Sequence, residues 1–415
     1  MAGSESTDDT ISIVQRGNLK NIETTLHKQW RLGQNIVLCW SPTDNGILLL
    51  MVPHYFLGNY TATAADSGEE GAKKSAARES YVRRLIAGRR RKTRDEFFEI
   101  SNELGVTTNF IKLPNPLADE PAVNAAIEEI VRRYGLSYVH SRAVILFDIA
   151  QFSLFTPFEQ ASQLNSLSYS MNSAYNKLLA RGVEVNFART TTGDGYYVWN
   201  RDLSPGSNED LLHFLLLVIA DNAMAREASK GNTVPQIRAA FHIGSHYELY
   251  QAEGVNPTVF SYIVGDVTIE LARMVDLARP SQVFIGDFSV ELPCPGGRDP
   301  NDTVTLDTHG FLERCNADME RVLGAKLSGQ EVKSMQCDTS RVDEGDRPRR
   351  FLLTDKHGLT RHAYNLELHI ETGSGRWRLG LSGDDLPRPT RPGDDAVEAS
   401  ALKSNKPSLK SVSEE

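Results

Sequence analysis

The sequence predicts an α+β chain, and three observations carry that reading. Runs such as AVILFDI, GYYVWN and SQVFIG are β-branched or aromatic and strand-like, and longer segments with apolar residues near helical spacing lie between them. Gly, Pro, Asn and Asp mark the joins. A chain of 415 residues with 40% hydrophobic content has enough apolar mass for two or three domains.

Composition narrows the function classes. The longest apolar stretches, GILLLMVPHYFLG and LLHFLLLVIA, are too short or too interrupted to span a bilayer, and Met1 to Asp9 is acidic with no secretory pattern. No membrane partner is expected. Cys39, Cys294, Cys315 and Cys337 are scattered without a CxxC pair, which argues against structural zinc or a disulfide scaffold and fits a reducing, cytoplasmic compartment. A net charge of -9 and a pI near 5.7 argue against a generally basic nucleic-acid surface and leave only local patches open, so a nucleic-acid partner is not expected.

Residues 1–10 read as disordered, and 11–139 as an N-terminal α/β region of unknown role. NIVLCW and GILLLMV, joined by SPTDNG, read as a hairpin. ATAADSGEEGAKKSAARES, polar and rich in small residues, reads as a surface loop. It leads into a basic run of Arg83, Arg84, Arg89, Arg90, Arg91, Lys92 and Arg94. That run either grips a polyanion or is a solvated helix face. No aromatic residues interleave with it, which favours the solvated face. NPLADEPAVNAAIEEIVRRYG contains a helix starting near Pro121 and stopping at Gly135.

Ala143 to Asn200 is the centre of the chain. It begins AVILFDIAQFSLF and ends EVNFARTTTGDGYYVWN, so each half is a strand delivering one acid, Asp148 and then Asp194. Between them Phe158, Leu164, Leu167, Met171, Tyr175, Leu178 and Leu179 approximate helical spacing and end at Arg181-Gly182. Strand, helix, strand, hairpin brings the two acids together across 46 positions. A buried carboxylate is costly unless paired, hydrogen-bonded or bound to a cation, and oxygen-ligated Mg²⁺ or Mn²⁺ is the simplest answer. Beyond this pair, NEDLLHFLLLVIADNAMAREASKG reads as one long helix, and VPQIRAAFHIGSHYELY as strand, turn and strand.

FDIAQF followed by TTGDG resembles the metal-binding core of the class III adenylate/guanylate cyclases. Arg238, His242 and Gly244 fall where that family has an R-x-G-I-H-x-G segment. Gly265, Arg273 and Met274 align with a later G-x-x-V-N-x-A-x-R-M segment, and SQVFIG continues the match. The resemblance covers residues 143–286 and implies a cyclase domain over 140–294 with a ferredoxin-like βαββαβ core. It implies two ions, Mn²⁺ or Mg²⁺, held by Asp148, Asp194 and the carbonyl of Ile149. Phe152, Ser153 and Arg238 would contact ribose and phosphates, and Arg273 would stabilise the transition state. His242 is expected to be structural. Such domains assemble head to tail, which implies a homodimer with composite sites acting on a nucleoside triphosphate.

The match departs at three positions. Thr190 and Tyr262 stand where the family reads the purine with Lys and Asp or with Glu and Cys, and Ile269 replaces the ribose-orienting Asn. The first two favour a smaller base, because a site built to pair polar edges rejects a mismatched one. Together these features resemble the pyrimidine cyclases of Pycsar antiphage defence, which make cyclic UMP or cyclic CMP for a separate effector. The alternatives are an adenylate or guanylate cyclase with atypical base contacts, and a catalytically silent cyclase-like signalling protein. Residues 295–386 read as a small β-rich domain. Its DKHG, Tyr364-Asn365 and LGL resemble the sensor domain found on nucleotide-signalling enzymes of antiviral systems. His357 and His362 suggest a metal less well than Asp355 to Gly358 suggests a turn. Residues 387–415 read as a disordered tail.

Overall fold

A computed structural model describes residues 11–62, 68–204, 206–252, 259–293, 303–327, 329–341, 348–354, 360–373, 375–386 and 396–398. Expectations for 1–10, for DKHG with His357, for Cys294 and for most of the tail fall outside these residues. In chain order the elements are α1 (Ile13–Trp30), β1 (Asn35–Thr43), β2 (Gly46–Pro53), α2 (Phe56–Thr61), α3 (Glu69–Ala87), α4 (Arg94–Leu104), β3 (Thr108–Lys112) and α5 (Pro121–Arg133). There follow β4 (Leu136–Ile149), α6 (Pro157–Leu179), β5 (Phe187–Thr191), β6 (Gly195–Asn200), α7 (Ser207–Ala228), β7 (Ile237–Ala252), β8 (Val259–Val264), α8 (Asp266–Leu277) and β9 (Val283–Gly286). The rest comprises β10 (Ser289–Pro293), β11 (Thr303–Asp307), α9 (Thr308–Ala317), β12 (Lys326–Leu327), β13 (Gln330–Thr339), β14 (Arg350–Thr354), β15 (Thr360–Thr372), β16 (Gly375–Leu379) and β17 (Ala396–Glu398). The chain is mixed α and β with a sheet-rich C-terminal region, as its sequence implies.

Two compact units divide it, one of residues 1–140 with 246–264 and the other of 141–245 with 265–415. In the first, β1 and β2 form the expected hairpin with Thr43 opposite Gly46, and β3 adds to β2. Ile22, Leu26 and Trp30 of α1 and Val123, Ile127 and Val131 of α5 close one core against it.

The stretch read as a loop is largely helix: α3 starts at Glu69. Its alanines, glutamates, lysines and arginines are strong helix formers, and Val82, Leu85 and Ile86 recur on the face it buries. The basic run is not all solvated either. Arg90 is fully buried and donates to the carbonyls of Leu38 and Leu136. Glu128 accepts from its backbone N–H.

In the second unit the sheet runs β7-β4-β6-β5, the order of a βαββαβ core when these strands are numbered 4, 1, 3, 2 along the chain. Helix α6 begins at a capping box of Thr156 and Glu159, and α7 lies beside it, tied by Lys177 to Asp221 at 2.6 Å. Leu167, Met171 and Leu178 of α6 and Leu211, Leu215 and Val218 of α7 bury the face made by Ile145, Phe147, Ala239 and Phe241. Phe158 lies off that stripe, 77% exposed.

One further expectation is corrected. Strand β7 runs unbroken through Gly244, where a turn was read; a Cβ there would come within 3.0 Å of Val267, so the glycine admits α8 rather than bending the strand. Most C-terminal strands extend the main sheet: β15 pairs antiparallel with β9 and carries β13 and β16 into it, while β10 and β11 pair as a two-stranded sheet. Alternating apolar residues such as Leu366, Leu368 and Ile370 join the same core.

Candidate active site

The site is built on the sheet face opposite α6 and α7. Ile145, Phe147 and Ile149 point into the helix-covered core, so Asp148 points away from it. The same alternation puts Arg238, Ala240, His242 and Gly244 of β7 on the far face, because Ala239, Phe241 and Ile243 join the core. Thr190 stands opposite Tyr197, which stands opposite Leu146. Helix α8 covers this face: Tyr197 donates its hydroxyl to the Thr268 carbonyl at 3.0 Å, and Arg238 donates to the Ala278 carbonyl at 3.1 Å.

Hairpin β5–β6 delivers the second acid. Asp148 is in register with Gly195, and the Ile149 N–H donates to the Asp194 carbonyl at 2.9 Å, fixing the two acids side by side. Only glycine fits at 195, since a Cβ there would meet the Phe147 carbonyl at 1.9 Å. Gly193 turns the hairpin at φ +102°. Thr192 donates its hydroxyl to Asp194 at 3.3 Å.

Asp148 is 8% exposed. Burial pushes its carboxyl above the usual range, and Asp194, close enough to share a hydrogen bond with it, pushes the same way. Arg238 opposes both, donating Nε–H to Asp148 at 2.5 Å. The donor set fits a hard divalent cation, which takes one or two carboxylates and completes its shell with phosphate oxygens or water. Among the described residues no group of three or more His, Cys, Asp or Glu side chains is placed to hold a metal. Any ion here therefore relies on the two acids and backbone carbonyls such as that of Ile149.

Asp148, Asp194 and Arg238 are thus brought together. Phe152 and Ser153 follow on a short 3₁₀ turn after Gln151, which has φ +58°; Phe152 packs on the core and Ser153 is exposed. Arg273 is half-buried on α8 and lies close enough to Glu270 to act on its charge. Ile269 is 48% exposed. Tyr262 lies opposite Leu249 on β8, in the first unit.

His242 is buried and bonded through Nε2 to Glu270, whose other oxygen accepts from Arg361 of β15 at 2.7 Å. Burial raises the Glu270 carboxyl, but His242, Arg361 and Arg273 outweigh it and hold its pKa below the usual range. Sequence reasoning missed this ion-pair cluster and Tyr197. Only the alternation of β6 hinted at Tyr197, and nothing in the sequence linked Arg361 to α8.

No protein-family model matches the chain, and no curated protein matches it. Solved structures do. The guanylate cyclase domain of RhGC from Catenaria anguillulae, in complex with GTP, shares 15% identity, covering 41% of this chain and 95% of its own, with a TM-score of 0.30. A non-canonical dimeric guanylyl cyclase domain of the RhoGC fusion protein from Blastocladiella emersonii shares 18%, covering 38% and 90%, also at 0.30. The adenylyl cyclase CyaB from P. aeruginosa shares 10%, covering 55% and 95%, again at 0.30. At these scores the likeness carries nothing beyond itself, and the chemistry of the site rests on its residues.

Proposed function

We propose that this chain is a class III nucleotide cyclase that converts a nucleoside triphosphate, UTP or CTP, to its 3′,5′-cyclic monophosphate and pyrophosphate. The observation that supports it most is the pair of acids, Asp148 and Asp194, at the end of one strand and in the adjoining hairpin, with Arg238 bonded to the first. A buried carboxylate raised by a second carboxylate is unfavourable unless a cation answers both.

Asp148, Asp194 and the Ile149 carbonyl would hold Mn²⁺ or Mg²⁺. Such ions lower the pKa of the ribose 3′-hydroxyl and neutralise the triphosphate. Arg238, bonded to Asp148, would bring a positive charge to the phosphates. Phe152 and Ser153, on the turn that follows the strand end, would contact ribose and phosphates. Arg273 meets the charge that develops on the transferring phosphoryl group, supplied from a second copy of the chain in a head-to-tail homodimer.

Thr190, on the same face as Asp148, and Tyr262 replace the residues that read purines in this family, which favours a pyrimidine. A separate effector that binds the cyclic product, as in antiphage signalling, completes the reading. Incubation with each of the four nucleoside triphosphates and Mn²⁺, followed by chromatography of the products, tests it. Cyclic UMP or cyclic CMP is expected; a product from ATP or GTP alone contradicts the pyrimidine assignment and leaves the cyclase reading standing. The exposed Ile269 favours one other reading, a silent cyclase-like protein that signals by binding, and nucleotide binding without turnover would mark it.

A further inference from the structure

The basic run has no part in the proposed reaction. Between Glu69 and Arg94 the chain carries ten Lys or Arg side chains against three carboxylates, in a protein of net charge -9. Charge packed this densely repels itself unless counter-charge answers it. Part of the answer is internal: Lys74 pairs with Glu70, Arg83 with Glu79 and Arg91 with Asp119, and Arg90 is spent on backbone carbonyls. Lys73, Arg78, Arg84, Arg89, Lys92 and Arg94 form no ion pair among the described residues, and all but Lys92 are exposed.

The fold also brings rings from outside the run to its arginines. Arg78 lies over Tyr60 at 5.3 Å, and Tyr60 stacks on Phe56. Arg83 lies over Tyr138 at 5.4 Å and donates Nε–H to the Tyr247 hydroxyl at 3.1 Å. Tyr60, Tyr138 and Tyr247 come from outside the run, so only the fold brings them to these arginines. A guanidinium held over a tyrosine offers its outer face to a nucleobase, while neighbouring cations neutralise phosphates.

We propose that α3 and the segment running to Arg94 bind single-stranded nucleic acid. Seven of the ten cations are arginine, whose planar fork matches phosphate oxygens. A membrane surface would draw on the cations alone, because Val82, Leu85 and Ile86 of α3 are buried and cannot insert. An acidic peptide would leave the ring-backed guanidinium faces unused. The proposal stands apart from the cyclase reading.

Fluorescence anisotropy tests it, using the full chain with labelled oligouridylate or oligodeoxythymidylate of about 20 nucleotides. The relative affinities of the two separate RNA from DNA. The expected result is saturable binding that weakens with salt by a log–log slope of about 0.7 per phosphate contacted. Arg84→Glu with Arg89→Glu is expected to weaken it about tenfold or more with the melting temperature unchanged, because several phosphate contacts are lost. Lys20→Glu with Lys112→Glu, an equal charge change at exposed positions elsewhere, leaves affinity within about twofold. Arg78→Ala weakens single-strand binding more than duplex binding. No binding at low salt, equal binding by the Arg84/Arg89 variant, or displacement by polyglutamate or phosphatidylserine vesicles as readily as by unlabelled oligonucleotide overturns the proposal.

Discussion

Asp148 sits where a carboxylate is least comfortable, and its protonation follows from that. Its pKa is raised by burial first and by Asp194 second, with Arg238 pulling the other way. A group whose folded pKa lies above its unfolded value contributes stability that is fully present below the unfolded pKa and lost as pH rises through the folded one. Ionised Asp148 therefore destabilises the ion-free protein at neutral pH. Asp148→Asn is expected to raise the metal-free melting temperature at pH 7 while abolishing turnover. Added Mn²⁺ with nucleotide should stabilise the wild type and leave the variant unchanged, which paired thermal melts would read. Arg273→Ala is expected to lower kcat by about 10²–10³, the usual cost of losing a preorganised transition-state donor, and steady-state kinetics on the folded variant would show it. Both acids were legible in the sequence because strand ends and a Gly-Asp turn mark them locally. Tyr197, Glu270 and Arg361 were not, since only the fold carries them to the same face.

The elements that position these residues depend on close backbone approaches. Gly195→Ala would drive a Cβ into the Phe147 carbonyl, separating β6 from β4 at the position that sets Asp194 beside Asp148. A loss of about 2 kcal/mol or more is expected in urea unfolding, together with loss of activity. In the N-terminal unit, Arg90→Ala would leave the Leu38 and Leu136 carbonyls without their donor and is expected to cost about 2–5 kcal/mol. Arg89→Ala, one exposed residue earlier, should stay within about 0.5 kcal/mol in the same assay. Helix α3 escaped the sequence reading because its small and polar residues look like a loop until their helix propensity is summed across the segment.

The sheet of the βαββαβ core continues into the C-terminal region. Periodicity identified those strands, but register is non-local, so their pairing with β9 was invisible in sequence. The assembly implied by the proposed function makes its own prediction. Asp148→Ala, inactive alone, and Arg273→Ala, strongly impaired alone, should recover turnover when mixed, because one of the two composite sites then has both intact halves; a mixture no more active than its parts contradicts a shared site. The proposed reaction requires the two acids to act as one cation site. Mn²⁺ binding, followed by electron paramagnetic resonance with UTP or CTP present, tests that most directly. The wild type should sequester Mn²⁺, and Asp148→Asn and Asp194→Asn should each lose it. Undiminished Mn²⁺ binding in a protein carrying both substitutions would contradict it.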